Sequence, residues 1–167
     1  FIMRFKDIFQ EEYAVVNNAH ARVNLIGEHT DYTGGYVLPS LLNFKTIIQI
    51  SQNNKKQYQV YSENFNEQKN FTDFMKSENI DWIDYVKGCL FVFYDENKNI
   101  PNTNLNIFIS SSIPMSRGIS SSSALCVAIL KTLNDFFKTQ YSEKYIAILA
   151  QKVERNYIGV SGGIMDQ

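Results

Sequence analysis

An alternating apolar run, Val23 and Leu25, stops at Gly27, and four polar side chains follow in succession: Glu28, His29, Thr30 and Asp31. A period of two marks the run as a strand. Tyr32-Thr33-Gly34-Gly35 then turns the chain into a second apolar run, Tyr36-Val37-Leu38. A packed core has no use for such a cluster of ionisable groups between two strands, because a buried charge must be paired. Two readings fit. One is a solvated turn built on Asx and glycine chemistry. The other is a binding segment for a hydroxyl-rich ligand, whose hydroxyls carboxylates accept and imidazole can accept or donate to.

The rest of the chain supplies a scaffold for that turn. Residues 1–10 are short, mixed and read as helical or loosely attached, and Tyr13-Ala14-Val15-Val16 reads as a strand leading into the turn segment. After Pro39, the β-branched run Phe44–Ile50 passes through Asn53-Asn54-Lys55-Lys56 into Tyr58–Tyr61, which predicts a hairpin. Phe71–Phe74 is a further candidate strand. Trp82, Tyr85, Val86, Cys89, Leu90 and Phe93 recur at helical spacing, so residues 81–95 are expected to form an amphipathic helix whose aromatic stripe is a core face. Leu105, Ile107 and Ile109 alternate as a strand facing a core on one side. Residues 120–138 read as a helix with Leu125, Ile129, Leu133 and Phe136 inside. Ser142 is the expected N-cap of a last helix carrying Tyr145, Ile146, Leu149, Val153 and Tyr157. Strands come first and helices later, without repeats or an internal boundary. That order favours an α+β domain, a mixed sheet packed with helices, over a regular βαβ series.

Two further stretches carry chemistry. Pro114-Met115-Ser116-Arg117-Gly118-Ile119-Ser120-Ser121-Ser122-Ser123-Ala124 lies between a strand and a helix. It is either a serine-rich loop with its N-cap or an anion site made of N–H groups at the positive end of the helix. The pattern G-x-x-x-x-G-K-[ST] is absent, which excludes an ordinary Walker nucleotide site. Near the end, Glu154 sits beside the apolar face of the last helix, and Gly159, Gly162 and Gly163 open a turn ahead of Asp166. Glu154 reads either as a solvated, paired glutamate or as a site residue, and Asp166 as an aspartate held in a cleft.

Arg22-Val23-Asn24-Leu25-Ile26-Gly27-Glu28-His29-Thr30-Asp31-Tyr32 resembles the galactokinase signature of the GHMP sugar and metabolite kinases. The serine segment is similar to that family's phosphate loop, where a proline and glycines lead into Gly-Leu-Ser-Ser-Ser-Ala. Glu154 through Gly163-Ile164-Met165-Asp166-Gln167 resembles its Glu-x₄-Gly…Gly-Ile-Met-Asp-Gln signature. The three occur in family order, from about Val16 onward. The resemblance implies the GHMP-kinase N-terminal domain, of ribosomal protein S5 domain 2-like fold, across residues 1–167. It implies transfer of the γ-phosphoryl of ATP to the anomeric hydroxyl of galactose, with ATP and Mg²⁺ as cofactors. Glu28, His29, Thr30 and Asp31 would line the sugar site, with Gly162 and Gly163 letting backbone approach the sugar. Ser116, Arg117, Gly118, Ile119, Ser120, Ser121 and Ser122 would hold the triphosphate. Ser122 and Glu154 would bind the metal. Asp166 would be the base that accepts the hydroxyl proton, and Arg22 beside it would keep it ionised and neutralise the phosphoryl.

The chain also departs from that pattern. Ser116 and Arg117 stand where glycines are usual, so the loop is either narrowed or given a guanidinium for phosphate oxygens. Asn18-Ala19-His20 stands where Ala-Pro-Gly is usual, and His20 reads as structural or exposed. Three alternatives to the main reading stay open: a non-catalytic sensor of sugar and ATP, a kinase for N-acetylgalactosamine or arabinose, and a fragment that is folded but inert on its own.

At 167 residues the chain can enclose one sizeable core. Its net charge of −1 gives no reason to expect nucleic acid or an anionic membrane as partner. No apolar run approaches membrane-spanning length. Cys89 and Cys126 lie among apolar neighbours and read as buried free thiols, consistent with a cytoplasmic protein. The chain stops just after the glycine turn, which reads as an N-terminal fragment whose missing C-terminal region would form the second wall of the cleft.

Overall fold

Two long antiparallel strands form one edge of the sheet. The computed structural model describes residues 4–27, 30–114, 119–160 and 162–167. Strand β1 (Val15–Ile26) pairs with β2 (Leu38–Gln52) along nearly its whole length, from Val15 opposite Ile50 to Ile26 opposite Leu38. The two segments expected as separate strands on either side of Asn18 are therefore one continuous β1. Likewise Leu38 and Phe44–Ile50 belong to a single β2 that runs through Pro39. Proline is tolerated there because β2 meets its other neighbour only from Thr46 onward, so the Pro39 end is open on that side.

The remaining strands are β3 (Tyr58–Ser62), β4 (Glu67–Phe71) and β5 (Leu105–Ser111), in sheet order β1-β2-β5-β3-β4. Strand β5 runs antiparallel to β2 and parallel to β3, which makes the sheet mixed. The hairpin expected between residues 44–50 and 58–61 does not form, because β5 lies between β2 and β3; the hairpin partner of β3 is β4, which ends at Phe71, where the sequence pattern suggested a start. Being central, β5 is covered on both faces. Leu105, Ile107 and Ile109 enter the main core, while Phe108 joins Phe5 and Tyr61 in a small cluster under the short helix α1 (Phe5–Phe9). A single buried face, as alternation suggested, is thus corrected to two.

Helices α2 (Trp82–Glu96), α3 (Ser121–Phe137) and α4 (Glu143–Lys152) pack on the main face. Asp81 caps α2 and Ser142 caps α4, accepting from Tyr145 N–H at 3.2 Å. In α3 the buried set is wider than a simple stripe: Ala124, Cys126, Ala128, Ile129, Leu130 and Leu133 are all within 2 % exposure. Burial of Ile129, Leu130 and Leu133 contributes about 1.5–3 kcal/mol each. Cys89 and Cys126 are free, fully buried thiols on facing helices, as the sequence suggested.

Two details of α2 bear on the site. Asp84 is fully buried, yet it accepts from Asp81 N–H at 2.8 Å and from Ser77 N–H and Oγ at 3.0 Å. Burial pushes its carboxyl up, but these bonds and Lys87 outweigh it and hold the carboxyl below its ordinary value. Gly88 lies against the segment after α4. A Cβ there would meet Tyr157 Cδ1 at 2.7 Å and Val153 Cγ1 at 2.9 Å. No helix among the described residues is long and apolar enough to cross a membrane.

Candidate active site

A register shift between His20 and Arg22 re-aims the side chains of β1. Arg22 Nε donates to Asp166 Oδ1 at 2.7 Å, and a second guanidinium nitrogen also reaches Oδ1. The two residues are 144 positions apart. Arg22's side chain is 14 % exposed and that of Asp166 33 %, so the pair is shielded but the carboxylate can still be reached. Charge-assisted bonds of this kind are stronger than neutral ones.

The second carboxylate is built differently. Helix α4 does not end at Lys152 but widens into a π-helical turn, Val153–Ile158, closed by Gly159 N–H on the Glu154 carbonyl at 2.9 Å. Such widened turns often mark functional positions. Glu154 faces inward at 9 % exposure. Its Oε1 accepts from Ser122 Oγ at 2.7 Å, and its Oε2 from Ser123 Oγ at 2.8 Å. Gln167 Nε2 also donates to Oε2 and lies 3.2 Å from Ser123 Oγ. Asp166 and Gln167 are neighbours in sequence, so the Arg22 pair and the Glu154 cluster adjoin.

Asp31 completes the group. It opens a 3₁₀ turn, Asp31–Thr33, and its Oδ2 accepts from Met165 N–H at 3.2 Å. Gly163 lies directly against that carboxylate, and a Cβ at 163 would overlap it. Here the missing side chain admits Asp31. Around Gly162 the space is open, with nothing within 4 Å of a built Cβ. Thr30 has its hydroxyl 2.7 Å from the Tyr36 carbonyl and 3.0 Å from that of Gly27, so it staples the turn. Gly27, at φ +100°, would bring a Cβ to 2.5 Å from the Tyr36 carbonyl, so glycine is required.

The N-terminus of the 17-residue α3 points into the same region. Ser120 precedes it in the left-handed conformation, φ 59°, at a cost of about 1 kcal/mol. Its hydroxyl does not cap the helix and is buried without a hydrogen-bond partner. The first N–H groups of any α-helix lack intrahelical acceptors, which suits an anion at this point. Beside Ser121 and Ser122 opens a cleft of about 420 Å³, walled by Phe65, Trp82, Tyr85 and Leu125. Phe65 and Trp82 stack at 5.8 Å between ring centroids. Burial, followed by the fields of Cys126 and Glu154, raises the Tyr85 hydroxyl. An aromatic-walled cleft adjoining a helix end suited to an anion has the form of a nucleotide site. A second cleft of about 330 Å³ runs from Asp166 and Arg22 along α3 to Lys131.

Of the residues singled out from sequence, the structure gathers Arg22, Asp166, Ser122, Glu154, Asp31 and Gly163. Ile119, Ser120 and Ser121 lead into the same helix end. Glu28, His29, Ser116, Arg117 and Gly118 lie outside the described residues. His20 is exposed, its Nδ1 2.9 Å from the Leu42 carbonyl. The expectation that the aromatic stripe of α2 is purely a core face is corrected for Trp82 and Tyr85, which pack on the core and also line the cleft. Phe65 carried no sequence-based role, and Ser123 and Gln167 were read only as members of the serine segment and of the C-terminal signature. Ser122 Oγ and Glu154 Oε1 are hard oxygens side by side, which suits a cation that takes its other ligands from phosphate and water. Among the described residues no cluster of three or more His, Cys, Asp or Glu gathers.

Comparison with known proteins agrees with this fold. Residues 84–167 match the model of the GHMP kinases N terminal domain, and residues 3–52 match the galactokinase galactose-binding signature. A galactokinase of Pyrococcus furiosus is 44 % identical over 146 residues, covering 87 % of this chain and 40 % of that protein. One from Clostridium acetobutylicum is 39 % identical over 168 residues, covering 98 % of this chain and 43 % of its own length. The chain thus spans less than half the length of these relatives. The crystal structure of Lactococcus lactis galactokinase complexed with galactose superposes with TM-score 0.87 at 31 % identity, over 97 % of this chain and 43 % of that one. A mevalonate kinase superposes at 0.81 with 22 % identity, a likeness of fold.

Proposed function

The chain belongs to the GHMP kinase family, and from that premise we propose that it serves the ATP-dependent phosphorylation of galactose at the anomeric hydroxyl. The observation that carries this reading is the Arg22–Asp166 pair set beside the Ser122–Glu154 pair. A reachable carboxylate next to a cation- and phosphate-binding corner is what transfer from ATP to a hydroxyl requires.

In this reading Asp166 accepts the proton of the attacking hydroxyl, and Arg22 orients it and offsets charge on the transferring phosphoryl. Asp31, together with Glu28 and His29, accepts and donates hydrogen bonds at the sugar hydroxyls. The α3 N-terminus and the loop before it, including Ser116, Arg117 and Gly118, hold the triphosphate. The adenine ring enters the cleft walled by Phe65, Trp82, Tyr85 and Leu125. Ser122 and Glu154 hold Mg²⁺, which when bound supplies charge neutralisation at the phosphate oxygens. Phosphoryl transfer rests chiefly on such positioning and electrostatics, since the transition state is loose.

The test is ADP formation by the full-length protein with galactose, N-acetylgalactosamine and arabinose as acceptors. Galactose-dependent ADP formation exceeding that with the other two supports the reading. Binding of both ATP and galactose without turnover would instead identify a sensor.

A further inference from the structure

Both oxygens of Glu154 are held, but unequally: Oε1 accepts from one side chain and Oε2 from two. Its Oε1 meets Ser122, the other proposed ligand. Its Oε2 accepts from both Ser123 and Gln167. Ser123 is 1 % exposed and therefore committed to this contact. Gln167 presents its amide nitrogen to the carboxylate, because the opposite orientation would set oxygen against oxygen. Its own Oε1 is left buried with no donor. Unsatisfied buried acceptors cost about 1–3 kcal/mol and are uncommon.

We propose that Ser123 and Gln167 are positioning residues for the cation site. Together they clamp Oε2 of Glu154, so that Oε1 alone is presented beside Ser122, and Gln167 offers its orphan oxygen to a water of the cation's shell. The clamp has two independent anchors. Ser123 belongs to the first turn of α3, one residue from Ser122. Gln167 follows Asp166, so it links the cation corner to the proton-accepting one. The π-helical turn supplies the third constraint by setting the direction from which Glu154 enters. This inference rests on Ser122 and Glu154 being cation ligands. Partners of ligand carboxylates are generally worth about 10–100-fold in metal affinity.

The experiment measures Mn²⁺ binding by electron paramagnetic resonance on the full-length protein, with adenosine 5′-(β,γ-imido)triphosphate present. Affinity for the same nucleotide without metal is measured alongside. Ser123→Ala and Gln167→Met are each expected to weaken Mn²⁺ about 10–100-fold while metal-free nucleotide affinity changes by less than about twofold. Ser123→Thr, which keeps the hydroxyl, restores the affinity. Unchanged Mn²⁺ binding in both variants overturns the clamp, as does an equal loss of metal-free nucleotide binding, which would mark a deformed loop. Glu154→Gln separates this from the reading beneath it. If it leaves Mn²⁺ binding intact, the ligand assignment itself fails. If it abolishes binding while the two clamp variants do not, only the clamp fails. Should Ser123→Ala not fold, Gln167→Met decides by the same criteria.

Discussion

The Glu154 corner and the Asp31–Asp166 corner adjoin, yet they are built on opposite terms. Glu154 is 9 % exposed and receives hydrogen bonds from three side chains on two elements. Asp166 is one-third exposed and leans on Arg22, while Asp31 is half-buried and takes a backbone N–H. The first corner is set before any ligand arrives. The second leaves oxygen atoms within reach, as a group must if it is to accept a proton or bind sugar hydroxyls. Under the proposed function, the contrast suggests that the nucleotide side is preorganised and the acceptor side is completed by its ligand.

Four measurements would sharpen or break that contrast. The largest effect is expected at the open corner. Asp166→Asn should lower kcat about 10²–10⁴-fold with galactose affinity little changed, measured by coupled assay and equilibrium binding. Near-normal turnover would remove the base assignment. Next comes Gly163→Ala, whose methyl has to displace the Asp31 carboxylate. Overpacking of this kind costs about 1–3 kcal/mol, so the galactose KM should rise about 5–150-fold while the ATP KM stays put. Equal changes in both would mean that the two corners are not independent.

The third measurement concerns the footing of the firm corner. Asp84→Asn should cost about 1–3 kcal/mol of stability at neutral pH, read by denaturant unfolding. The folded carboxyl lies below 3.8, its ordinary value. Its contribution is therefore present above the unfolded value and lost as pH falls through the lower, folded one. The gap between the two proteins should close on acidification below about pH 4. The smallest effect is at the cleft. Trp82→Ala removes one stacking face, worth about 0.5–1.5 kcal/mol, and should raise the ATP KM about 2–10-fold with kcat little altered.

The same contrast governs how much could be read in the chain. Turn chemistry and alternation marked two separate turns, one with Gly27 and Asp31 and one with Gly163, but only resemblance joined them with Arg22 and Asp166 into one corner. The strands β1 and β2 were visible in part. Pro39 hid their continuity, since nothing local reveals that β2 is unpaired on that side. The firm corner was half-legible. Ser122 and Glu154 stood out only through resemblance to known motifs, and their partners Ser123 and Gln167 belong to no periodic pattern. Trp82 and Tyr85 misled for a physical reason: an aromatic pair at helical spacing looks identical whether its rings fill a core or wall a cleft. The π-helical turn was invisible, because Leu149, Val153 and Tyr157 keep the spacing of an ordinary helix across it.

Gly88 touches neither proposed ligand, yet it decides the clearance between α2 and the stretch that bears Glu154. The same helix carries Trp82 and Tyr85 on the cleft wall. One missing methyl thus acts as a spacer shared by the base pocket and the cation corner. Any bulk placed there has to shift Tyr157 or Val153, and under the proposed function it would loosen both ends of the nucleotide site together.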